Sequence, residues 1–211
     1  NKVYRKMPYI SIHELVTLIE EVKILLPKIT APISATGKKL VVIGTSTGGP
    51  QALQTVITRL PGNLPCGVVV VQHMPAGFTK SLAERLNSIS EIAVKEAEND
   101  EIIKDGQVYI APGNFHLRIF PMANNRKIVL SQEPPVGNHR PAVNVLFDSV
   151  AQFRKDLVSV IMTGMGCDGC EGMKKIKANG GYCIAQDENS CVVYGMPKAV
   201  VDAGLSDEIR P

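Results

Sequence analysis

The chain has 211 residues, of which 45% are hydrophobic and only 5% aromatic, with no Trp. This composition excludes an intrinsically disordered protein and supplies enough apolar surface for one medium-sized domain. The net charge of +3 is concentrated at the N-terminus, because residues 1–39 hold seven basic and three acidic side chains. The remaining body is nearly neutral and lacks the field that holds a polyphosphate, so nucleic acid is not expected as a partner.

The sequence contains neither a membrane span nor a secretion signal. No apolar run approaches the ~20 residues that a transmembrane helix requires, and the first residues lack the apolar stretch and cleavage site of a signal peptide. Five cysteines are an odd number in a chain too large to need disulfide cross-links, which favours free thiols. We therefore expect a cytoplasmic protein that does not insert into a membrane.

The N-terminal segment predicts a helix and a linker. Apolar residues recur at intervals of three or four across residues 11–26, as on one face of a helix. Residues 27–39 are rich in Pro, Ser, Thr and Gly, as in an interdomain linker. Two interpretations of the helix stay open: it packs on the domain that follows, or it connects to a further module. With the boundary near residue 38, residues 1–37 are helix plus linker and residues 38–211 are the main domain.

Beyond the linker, short runs rich in β-branched residues alternate with helical patterns. The apolar runs predict strands over residues 40–44, 68–72, 158–163 and 182–185. A 3.6-residue periodicity predicts helices over residues 51–60, 79–89, 143–154 and 172–179. This alternation is typical of repeated βαβ units, which build a parallel sheet.

One stretch, residues 93–132, breaks the alternation. It contains a predicted strand over 108–112 and then two short apolar runs, 116–120 and 127–130, around the turn-forming Ala-Asn-Asn at 123–125. Two runs joined by such a turn indicate an antiparallel hairpin. The predicted fold class is therefore α/β: a doubly wound, mainly parallel sheet with an antiparallel hairpin insertion.

Three polar residues lie in the segments that follow predicted strands. Ser46 lies in TSTGGP after the first strand, His73 follows the second, and Asp168 lies in GMGCDG after the third. Because ligands of open α/β sheets bind outside the carboxyl ends of the strands, these side chains are expected on one rim. Acyl transfer requires such a set: a hydroxyl nucleophile, an imidazole that takes its proton, and a carboxylate that orients the imidazole. The sequence therefore predicts a serine hydrolase site.

Each of these residues also has a structural explanation. The turn with Gly48 and Gly49 before a helix resembles turns that bind phosphate or dinucleotides, although it contains neither a P-loop lysine nor a GxGxxG. A backbone carbonyl that holds the ring would explain His73, and a cap on the helix that begins near Gly169 would explain Asp168. The joint placement of three such residue types after separate strands favours catalysis, and a phosphate-binding module is the alternative.

The remaining residues with catalytic or metal-binding side chains do not follow a predicted core strand. One group is expected at the surface: His13, His116 and His139. His139 and Arg140, in the sequence GNHRP, are also candidates for the rim of the site. Cys167 and Cys170 form a CxxC, but a single CxxC without a second close pair does not favour zinc or redox chemistry.

Six blocks of the sequence resemble, in order and spacing, the catalytic domain of the chemotaxis protein-glutamate methylesterase family, CheB: VVIGTSTGGPQAL, VVVQHMPAGFTKSLAERLN, VYIAPGNFHL, HRPAVNVLFDSVA, IMTGMGCDGCEGM and IAQDENSCVVYGMPKAV. The resemblance spans residues 38–211. It implies the fold of the CheB C-terminal domain. It also implies an enzyme that hydrolyses glutamate γ-methyl esters, and deamidates glutamines, on chemoreceptor cytoplasmic domains in bacterial chemotaxis. It also implies that the enzyme needs no metal and no organic cofactor. A domain that binds receptors without turnover is the remaining alternative.

Carried over residue by residue, the resemblance implies roles for five positions. Ser46 would be the nucleophile, His73 the general base, and Asp168 the carboxylate that orients the base. The backbone amide of Met165 would help to bind the oxyanion, and Thr47 and Met165 would lie near the reacting ester.

The resemblance implies methyl-accepting chemotaxis receptors as the protein substrate. Members of the family usually carry a receiver domain N-terminal to the catalytic domain, and residues 1–37 resemble only the linker that joins the two. The chain departs from the family pattern at Thr45, where alanine is common, and at Asn144, where aspartate is common. Cys167 and Cys170 stand where asparagine and alanine are familiar. None of these departures removes a proposed catalytic group.

Overall fold

The computed structural model of the protein describes residues 39–123 and 125–211. The helix predicted over residues 11–26 and the linker after it lie outside the described residues, so they stay predictions. The strands are β1 (Lys39–Thr45), β2 (Cys66–Gln72), β3 (Ala93–Glu96), β4 (Gln107–Ile110), β5 (His116–Pro121), β6 (Arg126–Ser131), β7 (Leu157–Ile161), β8 (Tyr182–Gln186) and β9 (Glu208–Arg210). The helices are α1 (Gly49–Ile57), α2 (Phe78–Ile89), α3 (Val143–Val150), α4 (Cys170–Ala178) and α5 (Met196–Asp202), and a 3₁₀ helix, Ala151–Asp156, follows α3.

Among the described residues, seven strands form one sheet in the order β3-β4-β2-β1-β7-β8-β9, and every neighbouring pair in it is parallel. The chain builds outward from β1 in one direction and from β7 in the other, so the strand order reverses between these two strands. Loops at such a reversal separate and leave a crevice at the carboxyl ends of the strands. The predicted doubly wound parallel sheet is confirmed.

The central strands are apolar because both faces of the sheet are covered. All seven residues of β2 are buried, and β1 has its last four residues buried. Parallel strands covered by helices on both faces read as continuous apolar runs, and β2 has the sequence CGVVVVQ. The buried ends of these strands hold the loops that follow them in fixed places.

The predicted hairpin is also confirmed. Strands β5 and β6 pair antiparallel, with His116 opposite Ser131 and Ile119 opposite Ile128. The hairpin packs on α3, where the Ile119 amide donates a hydrogen bond to Ser149 Oγ at 3.0 Å. The expectation that His116 lies at the surface is wrong: its ring is fully buried, and Nε2 donates to the Pro134 carbonyl at 3.1 Å.

Several element boundaries differ from the prediction. The predicted helix over 143–154 is α-helical only to Val150 and then tightens into a 3₁₀ helix, where Arg154 has a φ of 53°. Strand β7 ends at Ile161, two residues before the predicted end. The sequence analysis missed β3, α5 and β9. In the described part of the chain, no helix is long and apolar enough to cross a bilayer.

Candidate active site

The three predicted residues after β1, β2 and β7 meet at the reversal of the strand order. Ser46 Oγ lies 3.1 Å from His73 Nδ1, and His73 Nε2 lies 2.8 Å from Asp168 Oδ2. The tautomer that satisfies both bonds carries its proton on Nε2, which donates to the carboxylate. Nδ1 then accepts from the serine hydroxyl. The side chains of His73 and Asp168 are only 7% and 8% exposed, so this contact is largely shielded from solvent.

The main chain at these positions extends the sheet. The Ser46 amide donates to the Thr163 carbonyl at 2.9 Å, and the His73 amide donates to the Thr45 carbonyl at 3.1 Å. Thus the nucleophile loop is bonded to the strand ends on both of its sides. This explains why a polar residue placed directly after a buried strand has a predictable position.

Gln72, the last residue of β2, ties the serine to the histidine. Its side chain is buried, and Nε2 donates to the carbonyls of both Ser46 and His73 at 3.0 Å. Its Oε1 has no hydrogen-bond partner among the described residues. An added Cβ on Gly49 would lie 1.9 Å from that oxygen, so only glycine fits there. The sequence analysis missed Gln72, although a polar residue at the end of an apolar strand was a visible signal.

Thr163 fixes the other side of the nucleophile loop. Its hydroxyl donates to the Thr47 carbonyl at 2.9 Å and accepts from the Val193 amide at 3.0 Å. Its amide donates to Gln186 Oε1 at 2.8 Å. Thr45, where the family commonly has alanine, adds a hydroxyl that donates to the Thr163 carbonyl at 3.1 Å. The departure at Thr45 therefore strengthens the link between β1 and the β7 loop.

Asp168 lies at the N-terminus of α3. Its Oδ2 accepts from the Val143 amide at 2.7 Å, and its Oδ1 accepts from the Asn144 amide at 2.9 Å. The structural alternative was that Asp168 caps the helix that begins near Gly169. The structure shows instead that Asp168 accepts from amides at the N-terminus of α3. Burial favours the neutral carboxyl, but the bonds from His73 and the two amides outweigh it and hold the pKa of Asp168 below its usual value. Asp168 is therefore an anion, and it accepts the hydrogen bond that His73 Nε2 donates.

Asn144 has a second contact. Its Oδ1 accepts from the Gly172 amide at 2.9 Å, which joins α3 to α4. An amide oxygen and a carboxylate oxygen are both acceptors. The departure from aspartate at this position therefore keeps an oxygen that accepts this bond.

The backbone amides around Ser46 differ in whether they already have an acceptor. The Ser46 amide itself is taken by Thr163, and the Gly49 amide donates to the Ser46 carbonyl at 2.8 Å. Within residues 39–123 and 125–211, the amides of Thr47 and Met165 donate to no protein acceptor. The loop that carries Met165 touches the nucleophile, because a Cβ added to Gly164 would lie 2.8 Å from Ser46 Cβ. Thr47 directly follows Ser46, and Met165 directly follows Gly164 in the loop that touches Ser46.

His139 contacts the histidine of this set. The rings of His139 and His73 are stacked with their centroids 3.7 Å apart and their planes 8° from parallel. Sequence analysis named His139 only as a candidate for the rim, since nothing in GNHRP shows which residue its ring meets.

The two thiols of the CxxC have different surroundings. Cys167 is exposed and Cys170 is half-buried against α5, where Sγ lies 3.5 Å from the Ala199 carbonyl. Burial and the neighbouring Glu171 and Cys167 raise the pKa of the Cys170 thiol, which opposes thiolate formation. In the described part of the chain, no three His, Cys, Asp or Glu side chains are grouped as metal ligands.

Comparison with known proteins identifies the family. The family model for CheB methylesterase matches residues 41–211. The chain belongs to the CheB methylesterase family. The resemblance drawn from the six sequence blocks is thereby confirmed.

Relatives in this family carry the name protein-glutamate methylesterase/protein-glutamine glutaminase. The chain is 53% identical to one from Halalkalibacterium halodurans over 82% of this chain and 50% of that protein. It is 49% identical to one from Thermotoga maritima over 92% of this chain and 56% of that protein. The chain therefore spans about half the length of the relatives it matches.

A solved structure shows the same fold. The chain is similar to the crystal structure of the Thermotoga maritima CheB methylesterase catalytic domain, with a TM-score of 0.81 and 49% identity. The match covers 83% of this chain and 93% of that one. The fold that the resemblance implied is confirmed.

Proposed function

We propose that this chain hydrolyses γ-methyl esters of glutamate side chains, and deamidates glutamine side chains, on the cytoplasmic domains of methyl-accepting chemotaxis receptors. The observation that carries the proposal is the unbroken hydrogen-bonded chain from Ser46 through His73 to Asp168. The names of the relatives, which are about half identical to this chain over the matched residues, support the choice of substrate.

In the first half of the reaction, Ser46 Oγ attacks the γ-carbonyl carbon while His73 Nδ1 takes the hydroxyl proton. The imidazolium that forms is stabilised by the anionic Asp168, which accepts from Nε2. The tetrahedral intermediate collapses, the bond to methoxide breaks, and the proton on Nδ1 leaves with methanol. With a glutamine substrate the same proton leaves with ammonia. The product of this half is an acyl-enzyme on Ser46.

In the second half, water replaces the leaving group. His73 Nδ1 takes a proton from the water as its oxygen attacks the acyl carbon, and returns that proton to Ser46 Oγ when the acyl bond breaks. The receptor side chain is released as glutamate. No group beyond the three side chains and water is required for the balance of protons.

The amides of Thr47 and Met165 are proposed to bind the oxygen that becomes negative in both tetrahedral intermediates. Neither amide makes another hydrogen bond in the described part of the chain. Donors fixed in place before the reaction stabilise the charge without reorganisation. The N-terminus of α1, three residues after the serine, adds a positive dipole end on the same side.

Replacement of the nucleophile tests the proposal. Ser46→Ala removes the attacking oxygen and is expected to lower methanol release from methylated receptor membranes by roughly 10⁵–10⁶-fold. The fold should remain, because Ser46 lies in a loop at the edge of the core. Ser88→Ala, an exposed serine in α2 whose hydroxyl bonds only within its helix, is the matched control. Near-normal methanol release by Ser46→Ala would refute the nucleophile assignment.

Covalent labelling separates this proposal from a phosphate-binding module or a receptor scaffold. A serine-directed fluorophosphonate should modify Ser46, as read by peptide mass spectrometry, and should fail to modify Ser46→Ala at any site. A module that only binds phosphate or receptor predicts no labelling of Ser46 in the unaltered chain.

A further inference from the structure

We infer that His139 is a positioning residue that holds the imidazole of His73 in the plane that joins Ser46 to Asp168. The inference rests on the hydrolytic function proposed above. Its basis is the parallel stack of the two rings, with centroids 3.7 Å apart and a tilt of 8°. Neither ring nitrogen of His139 has a hydrogen-bond partner in the described part of the chain, so the ring acts through its face.

The loop that carries His139 is shaped to present the ring. The Val136 amide donates to the His139 carbonyl at 3.1 Å, and the His139 amide donates to the Val136 carbonyl at 3.0 Å. Between them, Gly137 and Asn138 have φ values of 58° and 66°. Two central residues with positive φ define a tight two-residue turn of the type favoured by Gly and Asn. The turn fixes the backbone of His139 relative to its neighbours.

Arg140 anchors the same loop. Its Nη1 donates to the carbonyls of Gln132 and Glu133 at 3.1 and 3.0 Å, and its Nε donates to Asn114 Oδ1 at 3.1 Å. In return, the Asn114 amide donates to the Arg140 carbonyl at 3.1 Å. The Arg140 guanidinium thus forms a clamp between its own loop and the loop of Asn114. This clamp holds His139, the residue before Arg140, beside the site.

A planar support matters because His73 changes partners during the reaction. Nδ1 faces Ser46 in the resting site, but it must pass its proton to the leaving group while Nε2 stays bonded to Asp168. A ring packed on one face of His73 opposes rotation out of this plane, yet leaves movement within the plane free. Small misplacements of a catalytic group are costly in rate, so such a support contributes to turnover.

The electrostatics require that His139 be neutral. The titratable groups that face it are His73 and Asp168. Burial lowers the pKa of His139, the adjacent His73 lowers it further, and Asp168 opposes both. His139 therefore presents a neutral aromatic face when His73 carries the positive charge of the transition state, an arrangement that attracts a cation. A charge on His139 would instead disfavour the imidazolium.

Three replacements separate these contributions. His139→Ala removes the support and is expected to lower kcat about tenfold with KM changed less than about twofold. His139→Phe restores a flat neutral face and should recover most of the lost kcat. His139→Lys replaces the neutral face with a fixed positive charge beside His73, which disfavours the imidazolium, so kcat should fall at least as far as for His139→Ala. Val136→Ala, in the same turn, is the control with near-normal kcat.

The readouts distinguish failure of this inference from failure of the proposed function. Methanol release by the unaltered chain is measured first, and its absence refutes the hydrolase itself. If the unaltered chain is active and His139→Ala equals it in kcat, the inference is wrong. It is also wrong if His139→Phe is as slow as His139→Ala, or if His139→Lys has the kcat of the unaltered chain.

Discussion

Two regions of the molecule supply the side chains of this site, and different interactions hold the two regions in place. Ser46, His73 and Asp168 lie on loops that leave the carboxyl ends of β1, β2 and β7, strands buried in the sheet. His139 lies on a loop outside both sheets, which follows β6 and is held by a two-residue turn and by Arg140.

The two regions differ in the free energy that is needed to open the bonds that hold their loops. In the first region, buried backbone and side-chain bonds continue the parallel sheet, and opening them exposes polar groups in the core. In the second region, Arg140 bonds to the carbonyls of two exposed residues, Gln132 and Glu133, and water competes for such bonds. We therefore expect the sheet loops to determine whether the reaction occurs at all, and the outer loop to tune its rate.

After loss of the nucleophile itself, the largest effect should come from Asp168→Asn. An amide has the shape of the carboxylate but favours the wrong tautomer of His73 and cannot stabilise the imidazolium, so kcat should fall by roughly 10³–10⁴-fold. Methanol release measures it. Asp148→Asn, on α3 and paired only with Lys175, is the charge-matched control. An Asp168→Asn rate within tenfold of the unaltered chain would show that the carboxylate does not orient the base.

A smaller effect is expected from Gln72→Met, which keeps the size of the side chain but removes both donors. The carbonyls of Ser46 and His73 lose a buried partner, at a cost of about 1–2 kcal/mol in the free energy of unfolding. Loss of the unpaired Oε1 offsets part of this cost. Because Gln72 reaches the substrate only through these two residues, kcat should fall about tenfold with KM nearly constant.

Denaturant unfolding and the split between kcat and KM check the Gln72 prediction. Gln51→Met, an exposed glutamine in α1, is the matched control. A rise in KM with unchanged kcat would mean that Gln72 shapes the binding surface and does not position the reacting groups.

Much of the first region could be predicted from the sequence because its signals are local. A buried parallel strand reads as an apolar run, and a polar residue directly after it must lie at the carboxyl edge of the sheet. This placed Ser46 and His73 correctly relative to each other, although they are far apart in sequence. Asp168 was placed on the same edge, five residues beyond the predicted end of the strand at Thr163.

The rest could not be predicted because it depends on contacts between distant segments. Nothing in GNHRP reveals that the ring of His139 meets His73, since that contact is set by Arg140 and by a turn whose partner loop carries Asn114. The short strands β3 and β9 were missed because four and three residues are too few to show a periodicity. His116 was misplaced because the loop that covers it, through Pro134, leaves no local pattern.

The smallest effect is expected where the outer loop is anchored. Arg140→Ala removes the clamp but leaves the turn at Gly137 and Asn138, so kcat should fall about threefold, as for the loss of one partly exposed hydrogen bond of about 0.7 kcal/mol. Arg140→Lys keeps the charge but not the fork that reaches Asn114 and two carbonyls together, and should resemble Arg140→Ala. Amide hydrogen exchange followed by mass spectrometry should speed up over residues 132–140 and stay unchanged in β1 and β2. If exchange rises equally in the strands, the outer loop and the sheet are one cooperative unit, and the contrast between the two regions is wrong.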